Sequence, residues 1–119
     1  MTTYFISGHL DLTEDELAEH YTPRLLQGVA EGASFVVGDA GGCDAMAQQV
    51  LCTADCGRVR VFHMFDAPRN NAGFPTTGGF RSDRERDEAL TAASDADIAW
   101  VRPGREKSGT AKNLERRAK

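Results

Sequence analysis

The stretch Phe35-Val36-Val37-Gly38-Asp39-Ala40-Gly41-Gly42-Cys43-Asp44 decides the fold. Its opening apolar run reads as a strand buried on both faces. The run enters a glycine-rich turn, and a helical pattern carrying Met46, Ala47, Val50 and Leu51 on one face follows at once. Such a turn exposes backbone N–H groups at the positive end of a helix dipole, and the missing Cβ atoms let a phosphate or carboxylate approach closely. The same glycines also serve as an ordinary tight connection. A second turn of the same kind weakens that plainer reading: Ile98-Ala99-Trp100-Val101 leads through Pro103-Gly104 to Ser108-Gly109-Thr110 and a final helical stretch.

The rest of the chain repeats the strand-to-helix pattern. Tyr4-Phe5-Ile6 is an apolar run ending at Ser7-Gly8-His9. Thr13 and Glu16 form a capping-box pattern, and Leu17, Tyr21, Leu25 and Val29 then share one helical face. Thr22-Pro23 interrupts that stripe as a cap followed by proline, so a kink or two consecutive helices is expected. Val59 to Met64 is the third strand candidate. Phe65 to Gly79 has no clear period, and with Phe65, Phe74 and Phe80 it is expected to form a binding lid. Helical character runs from about Ser82 to Ser94, capped by Ser82 or Asp83; a fourth strand covers Asp97 to Val101, with Trp100 in the core, and the last helix starts near Ser108. Apolar strands alternating with helices predict an α/β, Rossmann-like three-layer sandwich with a mostly parallel sheet of four or five strands. Ligands bind such sheets beyond the carboxyl ends of the strands, which puts the turns at Ser7, Gly38 and Ser108 and the long loop at one edge.

With 119 residues the chain is expected to be a single domain spanning 1–119. No apolar run is long enough to cross a bilayer and no signal segment opens the sequence, so a cytoplasmic location without membrane association is expected. Cys43, Cys52 and Cys56 are an odd number without a framework spacing; Cys52, Cys56 and His63 lack a further Cys or His pair, so neither metal nor cofactor is expected. The net charge of −4 argues against nucleic acid as a partner. A local asymmetry qualifies that argument: Asp11 to Glu19 is acidic, while Arg102, Arg105, Lys107, Lys112, Arg116, Arg117 and Lys119 make the C-terminal segment basic. Those cations complement the end of a helix dipole or form a polynucleotide-binding face.

Taken together, the Gly38 to Asp44 turn, Arg86-Asp87, the Ser94-Asp95-Ala96-Asp97 lead-in and Ser108-Gly109-Thr110 resemble the SLOG superfamily of Rossmann-like nucleotide-binding proteins. The resemblance covers nearly the whole chain. That group includes LOG-type phosphoribohydrolases, which cleave the N-glycosidic bond of cytokinin nucleotides, and nucleoside 2-deoxyribosyltransferases are similar through the Gly-Thr pattern. It implies a nucleotide-like ligand, and pairing of subunits through exposed helix faces implies a homodimer by analogy. These enzymes carry Gly-Thr-x-x-Glu, whereas Gly109-Thr110 is followed by Ala111, Lys112 and Asn113. An amide cannot replace a carboxylate as base or nucleophile. Glu115 lies about 200° further around an ideal helix and points elsewhere.

The expected ligand-binding set follows. Backbone groups at Gly41, Gly42, Ser108, Gly109 and Thr110 would cradle phosphate, Arg81 and Arg86 would supply charge, and Ser7, Gly8, Asp39 and Asp44 would line the sugar or base end, with Gly38 and Asn113 also in the ligand-binding set. Arg86 faces a phosphate or pairs with Asp83 or Asp87; Asp44 receives hydrogen bonds from a ribose or base edge or caps its helix. Sensing or sequestration of a nucleotide-derived small molecule is the expected function. An N-glycosidase using Arg86 with Asp39, Asp44 or Glu85 in the carboxylate role is the alternative, and a DNA-binding protein related to the DNA-processing protein A core is a third.

Overall fold

The computed structural model describes residues 1–118. Among them, strands β1 (Thr3–Ser7), β2 (Ser34–Gly38), β3 (Val59–Met64), β4 (Thr76–Phe80) and β5 (Ala96–Ala99) form one sheet in the order β4-β3-β2-β1-β5, every neighbouring pair parallel. Helices α1 (Glu14–His20), α2 (Thr22–Ala30) and α3 (Cys43–Thr53) pack together on one side, and α4 (Asp83–Ala92) and α5 (Gly109–Ala118) pack together on the other. The α/β, Rossmann-like architecture read from the sequence is therefore the observed one.

The two-residue side-chain period of a strand divides the core. Ile6, Phe35, Val37, Val59, Val61 and Ile98 meet Leu25, Ala47 and Leu51 on the first side. Phe5, Val36 and Phe62 meet Leu90 on the second. Each covered strand thus needs apolar residues at consecutive positions, and that requirement is what made them legible.

Local signals set the helix boundaries. The Thr13 hydroxyl accepts from the Glu16 amide while the Glu16 carboxylate accepts from the Thr13 amide, completing the capping box. The interrupted stripe is indeed two helices, although Tyr21 rather than Thr22 occupies the N-cap of α2 and makes no side-chain cap bond. Fully buried, Tyr21 donates from its hydroxyl to the Ser7 carbonyl at 2.7 Å and accepts from the Trp100 amide at 3.0 Å, tying the carboxyl ends of β1 and β5 together.

Three expectations change. The segment after β3 contains β4, pairing from Val61↔Thr76 to Met64↔Phe80 with a register shift between. Thr-Thr-Gly-Gly-Phe has no apolar alternation because β4 is an edge strand; Phe80 supplies its packing by stacking on Phe62. The last strand ends at Ala99, so Trp100 lies beyond it, half-buried, stacked on the His20 ring at 4.0 Å. Finally, the loop preceding β4 is pinned rather than poised as a free lid. Arg69 and Asn70 bind Asp39, and the Gln48 side chain donates to the Gly38 and Asn70 carbonyls while accepting from the Ala72 amide.

Candidate functional site

A cleft of about 280 Å³ opens at the carboxyl ends of β1 and β2, between the first turn of α3 and the second-side helices α4 and α5. A larger groove of about 440 Å³ between α1, α2 and α3 is mainly aliphatic, with Glu14 its charged residue. Convergent polar groups distinguish a recognition site, and the smaller cleft has them.

Of the residues singled out from the sequence, Ser7, Gly8, Gly38, Asp44 and Arg86 line this cleft together with Ser108, Gly109, Thr110 and Asn113. Ser7 is buried, and among the described residues its hydroxyl has no hydrogen-bond partner. A buried hydroxyl normally finds one; Thr91 Oγ1 is a second buried hydroxyl without a partner, but of the two only Ser7 lines the cleft. Ser108 caps α5, its hydroxyl accepting from the Ala111 amide and its carbonyl from Lys112. Helix geometry leaves the amides of Gly109 and Thr110 without an intrahelical partner at the positive end of the dipole.

Other expected residues lie elsewhere. Arg81 and Glu85 are exposed and, like Gly41, are not part of the cleft lining. Gly42 adopts φ +62°, and a Cβ there would strike the backbone oxygens of His9 and Leu10. Its glycine is required by the chain packed against it. Asp39 is not part of the cleft lining either. Its Oδ2 accepts from the amide and Nε of Arg69 at 2.9 and 3.2 Å, and its Oδ1 from Arg69 Nη2 and Arg86 Nη1, both at 3.0 Å. All four lone-pair positions of the carboxylate are occupied, so Asp39 staples the loop and α4 to the end of β2. Burial opposes its ionisation, but the Arg69 hydrogen bonds and Arg86 outweigh that and hold the carboxyl down at about 2.

Arg86 is a buried hub. Its Nη1 meets Asp39 and Asp83 at 3.0 and 3.1 Å, while Nε and Nη2 donate to Asp87. The surface pairing weighed for it is thus a buried network with an additional partner. Asn113 donates to Asp87 at 3.2 Å and accepts from Arg116, so α5 joins the same network.

Asp44 sits on the first turn of α3 and accepts from the Ala40 amide at 3.1 Å. A Cβ on Gly38 would lie 2.6 Å from Asp44 Oδ2 and 3.2 Å from Arg86 Nε, so only glycine leaves room for both side chains above the end of β2. Burial pushes the Asp44 carboxyl up to about 7, with Arg86 and the Ala40 amide working against the rise and Asp87 and Asp39 adding to it. A carboxyl at the floor of a cleft that exchanges a proton near neutrality is suited to proton donation or to hydrogen bonding in its acid form.

Sequence reasoning placed the turn carrying His9 at the site edge and weighed Asp83 as a partner of Arg86, but gave no role in the cleft to Arg69 or Arg105. Arg69 stands in a segment without period and carried no signal. Arg105 lies three residues before Ser108, which was a usable hint. His9 is buried and its Nε2 accepts from the Arg102 amide at 2.9 Å; burial and the charges of Arg105 and Arg102 lower its pKa, keeping the acceptor nitrogen free. The C-terminal arginines turn inward: Arg102 holds Asp11 and Glu16, Arg117 holds Asp97, and Arg116 holds Asn113, while Lys119 lies outside the described residues.

No protein-family model, curated protein or solved structure matches this chain.

Proposed function

We propose that this protein binds a small nucleotide-derived molecule in the cleft between the ends of β1 and β2 and the N-terminus of α5, and that it senses or sequesters that molecule. The observation carrying the proposal is the buried, unpartnered Ser7 hydroxyl lining a cleft that also contains the start of α5. The resemblance to SLOG proteins supports the nucleotide class. The volume of about 280 Å³ lies at the lower end of ligand pockets, which favours a mononucleotide or ribosyl phosphate over a dinucleotide. Asn113 at the glutamate position supports binding without turnover.

The test is thermal unfolding of the full chain against ribonucleoside and deoxyribonucleoside monophosphates and ribose 5-phosphate. A ligand at one hundred times its Kd stabilises by about 2.7 kcal/mol, which raises Tm by several degrees in a domain of this size. Absence of a shift with every member at millimolar concentration overturns the proposal.

A second reading is favoured by one observation, the Asp44 carboxyl near 7 at the cleft floor. In that reading Asp44 gives its proton to the departing base during N-glycoside cleavage, water adds to the sugar carbon, and the ionised Asp44 takes the water's proton and is restored. Release of free base from a monophosphate, abolished in Asp44→Asn, would establish the enzyme in place of the binding protein.

A further inference from the structure

We propose that Arg105 is the side chain by which this cleft recognises a phosphomonoester on its ligand, and that Asp11 holds Arg105 until the ligand displaces it. The inference rests on the reading of the cleft as a nucleotide site and adds how that site selects and admits its anion.

Three guanidinium groups line the cleft, and two of them are tied to the buried Asp39. Arg86 spends its donors on Asp39, Asp83 and Asp87. Arg69 is fixed by the same carboxylate, its amide, Nε and Nη2 on Asp39 and Nη2 also on Asp83, which leaves only Nη1 uncommitted. Arg105 uses only Nη1, reaching the Asp11 oxygens at 3.3 and 3.4 Å, the long limit of a hydrogen bond. A guanidinium carries five N–H donors, so most of this one is uncommitted.

The pair is built to exchange. Asp11 is 62% exposed and Arg105 42%, and such surface pairs contribute little. Arg102 also binds both Asp11 oxygens at 3.2 Å and donates to the Asp11 carbonyl, so Asp11 remains paired when Arg105 leaves. The Arg105 backbone is fixed meanwhile: its amide donates to the Arg102 carbonyl and its own carbonyl accepts from the Ser108 amide. The stem is anchored one turn before α5 while the charged end can swing.

An anion placed on the open amides of Gly109 and Thr110 would meet three independent attractions. The helix dipole supplies the first, the Arg105 fork the second, and the unpartnered Ser7 hydroxyl the third. A phosphomonoester has enough acceptor oxygens to satisfy all of them, whereas Asp11 satisfies only the guanidinium.

The experiment is calorimetric titration of wild type, Arg105→Gln, Arg105→Lys and Asp11→Asn with the four ribonucleoside monophosphates, their nucleosides, ribose 5-phosphate and inorganic phosphate. Arg105→Gln is expected to weaken the bound monophosphate about tenfold or more and leave its nucleoside unchanged. Asp11→Asn is expected to strengthen the monophosphate several-fold at low salt, with the gain shrinking as salt rises. Lysine should restore part of the loss, because it keeps the charge without the fork. Monophosphates that bind wild type, Arg105→Gln and Asp11→Asn equally overturn this inference and leave the nucleotide reading standing. Inorganic phosphate binding as tightly as any monophosphate, with no gain from the nucleoside, assigns the subsite to free phosphate and also overturns it. If none of these probes binds wild type at millimolar concentration, both the inference and the nucleotide reading fail.

Discussion

Asp39 and Asp44 sit five residues apart on one turn, yet their surroundings drive them in opposite directions. Asp39 ends at about 2 because four donors surround its ionised form, and Asp44 at about 7 because one amide and a shared guanidinium do not offset its burial. The sign for stability follows. The unfolded Asp44 ionises near its ordinary value of 3.8, whereas the native one keeps its proton to about 7, so the folded state loses stability as pH rises between these values. Asp44→Asn should remove that decline: Tm matches wild type near pH 4 and exceeds it at pH 8, by an amount on the order of a few kcal/mol in unfolding free energy. Parallel Tm-against-pH curves for the two proteins would show that Asp44 is not held protonated.

At the element scale, the loop between β3 and β4 behaves as a wall of the cleft. It presents Arg69 to the cavity while Asp39 and Gln48 grip its backbone. Asp39→Ala removes the partner of two arginines, one of them buried, and should destabilise the fold by about 3–5 kcal/mol. Amide exchange over residues 66–75 should accelerate beyond the general loss, because this loop has no helix or strand bonds to fall back on. Unchanged protection there would mean that Gln48 and the Asn70 bond to the backbone carbonyl of residue 39 hold the loop without the carboxylate. Linkage adds a pH signature: the depressed Asp39 pKa contributes stability that is present above its ordinary 3.8 and is lost as pH falls toward 2.

For the whole molecule, the net charge and the pairing of the C-terminal arginines bear on the polynucleotide alternative. A DNA-binding face needs cations free to displace counterions, and Arg102, Arg116 and Arg117 are occupied by Glu16, Asn113 and Asp97. We expect duplex DNA to bind no tighter than about 10⁻⁴ M at 0.15 M salt, the weak end of non-specific affinity. Micromolar binding with a steep salt slope, measured by fluorescence anisotropy, would restore that alternative. No helix among the described residues is long and apolar enough to cross a membrane.

What the sequence determined by itself is whatever depends on neighbours along the chain. Doubly apolar strands such as Phe35 to Val37, the Thr13–Glu16 capping box, the break at Thr22-Pro23 and the glycine turn before α3 follow from local periodicity and capping chemistry, and together they carry the α/β class and the edge where the cleft opens. Tertiary structure alone decided β4, whose Thr-Thr-Gly-Gly core lacks periodicity and becomes a strand by pairing with β3. It also decided which charges remain available. Arg86 finds Asp39 across 47 residues and Arg105 finds Asp11 across 94. Residue type announces a charge, but only the folded chain brings its counter-charge within 3–4 Å, and that proximity consumes Arg86 while leaving Arg105 free to turn.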